Sequence, residues 1–282
     1  MKIIDTHIHV WNFDKAAYTW LEGNATILNR TYDIAELEQE KEAAGVTEGI
    51  LVQAANNTAD TAWMLELANK HDWITGVVGW LPLMDTEATV GLLEEQYVKN
   101  RYFTGVRHLI HDEPDTTWLL QPAVINSLQV LANNDIPFDI VGVLPAHIET
   151  VLKVAEKVPG LKMVFDHLNQ PPIKHKEKFG VWGELMRLAA GHTNFYAKIS
   201  GLGTASGDAE NWTAENIKPY VAFVLEHFGT DRCFCGGDWP VSLLAGSYKK
   251  AWDNYRKVIS ELLDKEQAGK ILYDNAKQFY KV

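Results

Sequence analysis

The sequence predicts an α/β chain closed into a barrel of eight strand–helix units, the (β/α)8 TIM barrel, as a single domain over residues 1–282. Three observations predict it. The chain has 282 residues, close to the roughly 250 that one such barrel needs. Eight short apolar or β-branched runs alternate with longer stretches whose apolar residues recur at spacings of three and four, a pattern that means parallel sheet with crossover helices. No linker, repeat or break in composition divides the chain, and no Gly-x-Gly-x-x-Gly follows an early strand to favour a dinucleotide fold.

The elements follow in order. Ile3–Val10 reads as the first strand. Asp33, with Glu36 three positions on, forms a capping-box pattern and opens the first helix at Ile34. Thr47–Ala54 and the helix Thr61–His71 make the second unit. Ile74–Leu81 with Glu87–Asn100, and Thr104–Ile110 with Gln121–Asn133, make the third and fourth. Pro137–Val143 precedes Ala146–Val158, and Lys162–His167 precedes Val181–Ala190. Asn194–Ile199 pairs with Ala214–Phe228, and Arg232–Gly236 with Tyr248–Leu263. One last helix, Lys265–Tyr280, ends the chain.

Composition narrows the function. The hydrophobic fraction is 46% and the charged fraction 22%, which suits a globular protein and excludes disorder and coiled coil. The net charge is −11, from 26 Lys plus Arg against 37 Asp plus Glu. An acidic surface repels phosphate backbones, so no nucleic-acid partner is expected. Cys233 and Cys235 are the two cysteines. Two residues apart, they would strain any bridge, and read as reduced core thiols of a cytoplasmic protein. No signal peptide is expected at the polar N-terminus, and no membrane contact, because no apolar run of about 18 residues occurs.

In a barrel, chemistry sits at the C-terminal strand ends. Strand one ends in Asp5-Thr6-His7-Ile8-His9-Val10-Trp11. His7 and His9 are two apart and share a face. Strand six ends in Asp166-His167, and strand eight in Gly236-Gly237-Asp238-Trp239-Pro240. Three imidazoles and one carboxylate, His7, His9, His167 and Asp238, suit a divalent metal, zinc first among the candidates. The same groups can instead bind a carbonyl without metal, with Asp238 as the base. Arg107 and His108 close strand four. Arg107 offers a planar fork to a carboxylate or lactone oxygen, or else pairs with Asp112 or Glu113. Lys198, near the end of strand seven, holds substrate or forms a salt bridge across the barrel. Trp11 and Trp239, among 10 tryptophans, are read as platforms for a sugar-derived ring; Trp80 is left open. Asp5 and Asp166 are read as orienting the neighbouring histidines. His147 either adds a polar contact or opens the next helix.

Asp5-Thr6-His7-Ile8-His9, Asp166-His167 and Gly237-Asp238-Trp239-Pro240 resemble the amidohydrolase superfamily, and more narrowly its amidohydrolase 2 branch. Gly105-Val106-Arg107-His108, Lys198-Ile199-Ser200-Gly201 and Asn275-Ala276 resemble the sugar-lactonase and pyrone-dicarboxylate-lactonase group within it. The resemblance runs in order from residue 3 to residue 280. It implies a barrel that hydrolyses a cyclic ester. Binuclear members carry a carbamylated lysine at the end of strand five; Asp139-Ile140-Val141-Gly142-Val143 has none, which argues for one metal at most. Some lactonases of the group use no metal, so metal-independent action stays open.

The expected function is therefore hydrolysis of a small lactone, a sugar aldonolactone in preference to a lactone dicarboxylate. Asp238 and His167 are the expected catalytic residues, and Arg107, His108, Lys198, Trp11 and Trp239 the expected substrate contacts. The alternatives are a metal-dependent decarboxylase of an aromatic acid, and a non-catalytic barrel that binds metal or sugar. A small-molecule lactone is the expected partner; homo-oligomers are common among barrel enzymes, but no interface is marked.

Overall fold

A computed structural model describes residues 1–175 and 178–282. Eight parallel strands alternate with helices: β1 (Ile4–Ile8), α1 (Ile34–Ala44), β2 (Glu48–Val52), α2 (Thr58–Ala68), β3 (Ile74–Gly79), α3 (Thr86–Leu92), β4 (Phe103–His108), α4 (Pro122–Asn133), β5 (Phe138–Ile140), α5 (Pro145–Lys157), β6 (Met163–Phe165), α6 (Gly180–Ala190), β7 (Phe195–Ile199), a short α7 (Leu202–Ala205), α8 (Ala214–Phe228), β8 (Cys233–Cys235) and α9 (Tyr248–Leu262). The chain ends in α10 (Lys265–Gly269) and α11 (Asn275–Tyr280). Strand order is sequential from β1 to β8. The seam between β8 and β1 closes just past the strands, where Asp238 N donates to His7 O at 2.7 Å and His9 N to Trp239 O at 2.7 Å. The (β/α)8 barrel is thus present, and its closing bonds are made by the site residues themselves.

Local sequence explains the ends. Asp33 caps α1 with the expected box to Glu36, and Gly45 ends it in the left-handed region. Pro122 and Pro145 open α4 and α5, where a missing N–H costs nothing. Two expected helices are interrupted. Wider turns at Leu93–Tyr97 and Lys270–Asp274 follow α3 and α10. Each inserts extra backbone into the ladder, and the second lets both Ile271–Leu272 and Ala276, Phe279 and Tyr280 face inward.

Apolar side chains fill two layers. The larger lies between strands and helices. The smaller lies inside the barrel, where Ile4, Ile50, Val52, Val78, Val164 and Phe234 meet Ala276, Phe279 and Tyr280 of α11. Asn275 fixes α11 by donating to the carbonyls of Thr230 and Cys233. Helix α11 thereby plugs the end of the barrel where the strands begin, leaving the other end for a cavity. Both cysteines are buried and unbridged, and Tyr248, Trp252 and Tyr255 form a buried stripe on α9. Among the described residues, no helix is long and apolar enough to cross a membrane.

Candidate active site

The end of β1 carries His7 and His9 to the barrel axis. Gly236 on the neighbouring strand makes room: a Cβ there would collide with His7. Asp5 anchors this corner. It accepts from the backbone N–H of His7 at 2.8 Å and of Gly237 at 2.7 Å, and from the Tyr248 hydroxyl at 2.6 Å. Burial nevertheless pushes its carboxyl up to about 6.

After β6 the backbone turns sharply. His167, Leu168, Asn169 and Gln170 all hold φ between 51° and 54°, a region that costs an L-residue about 1–2 kcal/mol each. Surrounding bonds hold the turn: Trp182 Nε1 donates to Leu168 O at 2.8 Å and His167 N to Ser200 Oγ at 3.2 Å. Strand β6 therefore ends earlier than expected, and the turn aims the His167 ring inward. Gly201, at φ +61°, leaves the space that ring needs. Asp238 is also left-handed, at φ 56°.

These residues converge. Asp238 Oδ1 lies 3.5 Å from His9 Nε2, 3.8 Å from His7 Nε2 and 3.9 Å from His167 Nε2. Ligand atoms of His7, His167 and Asp238 all lie within 4.8 Å of one another; His9 stands beside this trio. Bonds on the far nitrogens aim the near ones. His9 Nδ1 donates to Val52 O at 2.8 Å, and His167 Nδ1 shares a bond with Ser200 Oγ at 2.9 Å. Burial holds His167 below, and His7 well below, the ordinary histidine range, so both rings are neutral near pH 7, the form that binds metal or a polarised oxygen.

Arg107 lines the cavity while four of its five N–H groups are bonded below it. Its Nε and one Nη2 N–H donate to the Gln53 side chain and carbonyl, at 3.0 and 2.9 Å. Nη1 donates to Asp166 Oδ2 and His7 Nε2, both at 3.1 Å. A guanidinium has five N–H groups, so one on Nη2 is left for a ligand. Its partner is Asp166, not Asp112 or Glu113.

Four expected substrate contacts are corrected. Lys198 is fully buried, 2.6 Å from Asp139 Oδ2 and 2.9 Å from Asp166 Oδ1, and so it balances charge beneath the site instead of touching substrate. Burial works against its ionisation, but Asp139 and then Asp166 raise it above the usual lysine value. Asp166 likewise pays desolvation, which Lys198, His7 and Arg107 outweigh, holding it well below the carboxylate range. His108 stacks on Trp118 with 4.1 Å between ring centres, accepts from Trp80 Nε1 at 3.0 Å and donates to Glu113 at 2.7 Å; strand pleating turns it away from the cavity. Trp11 and Trp239 are 0% and 1% exposed. Trp11 Nε1 donates to Arg30 O, and both rings pack edge-on against Tyr32. They are core under the mouth and cannot reach a ligand. His147 opens α5, its Nδ1 accepting from Val143 N and Leu144 N.

A cavity of about 240 Å³ opens over the centre. His9, Arg107, His167 and Asp238 line its polar floor, and Leu109, Val141, Val143 and Val241 are among its apolar walls. Trp20, His111, Asp112, Gln170 and Thr204 also line it, and sequence reasoning missed all five. His111 and Asp112 lie just past Arg107-His108, where position alone was a signal. Trp20 comes from the long β1–α1 connection, which carries none.

Comparison with known proteins identifies the family. The amidohydrolase family model matches residues 4–282. A curated L-fucono-1,5-lactonase of Burkholderia ambifaria is 29% identical over 282 residues, covering 99% of this chain and 95% of that protein. An L-rhamnono-gamma-lactonase of Scheffersomyces stipitis is 25% identical over 339 residues, covering 100% and 99%. The crystal structure of an amidohydrolase from Burkholderia multivorans with bound zinc superposes with a TM-score of 0.90 at 26% identity, covering the whole of both chains. A match that spans both ends of the barrel and every site-bearing strand is more than shared architecture: this chain belongs to the amidohydrolase family.

Proposed function

We propose that the protein hydrolyses a small sugar lactone. One observation carries the reading. Asp238 points a carboxylate with no hydrogen-bond donor, among the described residues, at three imidazole nitrogens on the floor of a ring-sized cavity. The lactonase-named relatives support the same reaction class.

Lactone hydrolysis needs an activated water, a polarised carbonyl and a protonated leaving oxygen. Asp238 accepts the water's proton and returns it to the ring oxygen as the ring opens. The free N–H of Arg107 donates to the carbonyl oxygen as negative charge builds there. His167 assists it. The Ser200 hydroxyl can donate to or accept from Nδ1, so Nε2 serves as donor or as lone pair.

The donor set fits one divalent ion: ligand atoms of His7, His167 and Asp238 lie within 4.8 Å of one another, with His9 beside them, and an ion held by His7 Nε2 would take the lone pair that Arg107 Nη1 now bonds. A Burkholderia multivorans relative binds zinc, which supports the same metal here. When bound, such an ion lowers the pKa of a coordinated water toward about 7 and polarises the carbonyl. No lysine stands in Asp139-Ile140-Val141-Gly142-Val143 at the end of β5 to bridge a second ion, which supports one ion.

The substrate follows from charge and size. Among the described residues the cavity lining holds one cation, Arg107, and it is already paired with Asp166. A dicarboxylate would find no second cationic side chain and would face Asp112 and Asp238. At about 240 Å³ the cavity falls just below the roughly 300 Å³ where drug-sized sites begin, which suits one sugar ring. A pH-indicator assay across aldonolactones and lactone dicarboxylates tests this, with Asp238→Asn beside the wild type. Turnover of neutral aldonolactones, lost at least about a hundredfold in Asp238→Asn, is expected. Preference for dicarboxylates would sink the sugar reading, and near-normal turnover in Asp238→Asn would move the base elsewhere.

A further inference from the structure

The floor of the cavity accounts for Asp238, His167, His9 and Arg107. Two polar side chains in its wall, His111 and Asp112, have no part in that chemistry. Both belong to a single turn, Ile110–Asp112, directly after β4. His111 donates through Nδ1–H to the carbonyl of Val141 at 3.2 Å. A carbonyl only accepts, so this bond fixes the hydrogen on Nδ1 and leaves a lone pair on Nε2 of the neutral ring.

Burial holds this ring below the ordinary histidine range, although Asp112 pulls it the other way. The ring is therefore neutral near pH 7. Its Nε2 lone pair faces Asp112 Oδ1 across 3.5 Å. Two acceptors at that distance, with no hydrogen between them, mark one spot where hydrogen-bond donors are held from both sides. Two other polar groups of the wall are already engaged. The Thr204 hydroxyl donates to Gly201 O at 2.7 Å, and the Trp20 indole N–H to Ala54 O at 2.7 Å.

We infer that His111 and Asp112 form a hydroxyl-reading pair that selects lactones bearing hydroxyl groups on the edge of the ring away from the ester. The inference rests on the lactonase reading and deepens it. A hydroxyl is the group that satisfies both acceptors: its hydrogen goes to one, and a vicinal hydroxyl supplies the other. An anionic or purely apolar ring edge leaves both unpaired, and a site built to bond a hydroxyl rejects the analogue that lacks it.

The experiment compares two substrates in three proteins. One substrate is the aldono-1,5-lactone that the wild type turns over best. The other is δ-valerolactone, the same six-membered ring without hydroxyls. The proteins are the wild type, His111→Phe, which keeps a ring of similar size, and Asp112→Ala, at a half-exposed position that puts folding at little risk. The expected result is a wild-type preference in kcat/KM for the hydroxylated ring, reduced at least about tenfold in each variant. The rate on δ-valerolactone should stay within about threefold of wild type. Equal losses on both substrates would show a merely structural role and overturn the inference, as would no loss on either. Both of those outcomes leave the lactonase reading standing. A wild type that opens neither ring removes that reading and this one with it.

Discussion

Replacing Lys198 with methionine separates a lysine that holds substrate from one that holds the site together. Lys198, Asp139 and Asp166 are all 0% exposed at their side chains, with ion-pair distances of 2.6 and 2.9 Å. Arg107 completes the set at 3.1 Å from Asp166. Two carboxylates and two cations sum to zero. Lys198→Met keeps the volume and leaves one uncompensated negative charge in a dry interior. Removing one partner of a buried pair costs about 3–5 kcal/mol. Asp139, pushed up by burial to about 6, relieves part of this by taking a proton, so the loss should lie near the lower figure. At roughly 2–4 °C per kcal/mol for a large domain, Tm should fall by about 6–12 °C. The deficit should shrink as pH falls from 8 to 5, because the variant binds its extra proton across that window. Urea and thermal melts at both pH values measure it. The double variant Lys198→Met with Asp139→Asn restores neutrality and should recover at least about half the loss. A drop of less than about 1 kcal/mol, together with a tenfold rise in KM, would refute the reasoning and return Lys198 to the substrate.

Other outcomes follow from the same geometry. Asp60 accepts from Tyr18 and from the N–H groups of Ala54 and Ala55, yet burial raises it to about 6. Its native form holds a proton that the unfolded chain has released between about pH 4 and 6, so stability falls as pH rises through that window, by about 3 kcal/mol; that slope should vanish in Asp60→Asn when urea unfolding is followed from pH 4 to 7. Gln170 is left-handed at φ 54°, so Gln170→Gly should raise stability by about 1 kcal/mol while weakening lactone binding, measured by melts and KM. Zinc titration monitored by elemental analysis should saturate at one equivalent per chain and fail in His167→Ala; a second tight equivalent would contradict the one-ion reading.

Much of the fold was legible because its signals are local. The capping box at Asp33 and Glu36, the prolines opening α4 and α5, and the period of each strand are written in a few neighbouring residues. The same holds for His7, His9, His167 and Asp238, which each close a strand that topology brings to one mouth. What was not legible depends on direction and depth. Arg107 and His108 are adjacent, and only the pleat decides that Arg107 faces the cavity while His108 stacks on Trp118. Trp11 and Trp239 follow site residues in sequence but bend beneath the mouth, and Trp20 comes over it from a loop. Lys198 has the same sequence signature whether it meets a substrate or two buried aspartates. The acidic Asp139 inside an apolar strand was the available hint that a buried cation was needed.

Five aspartates are buried among the described residues, and their partners explain why one of them is the base. Asp5 accepts from two backbone N–H groups and Tyr248. Asp60 accepts from two backbone N–H groups and Tyr18. Asp139 takes Lys198 and Tyr280, and Asp166 takes Lys198 and Arg107. Each carboxylate is tied to donors that keep it from swinging toward a ligand. Asp238 alone has imidazole nitrogens at 3.5–3.9 Å and no donor bonded to it. A carboxylate whose lone pairs are already taken has none to offer a water, so a proton acceptor has to be left without such bonds. The left-handed backbone at Asp238 and the close approach of Gly201 keep it aimed at the cavity in their place. Four aspartates thus hold the barrel seam, the backbone at Ala54 and Ala55, Lys198 and Arg107 in position, and the fifth is left free to react.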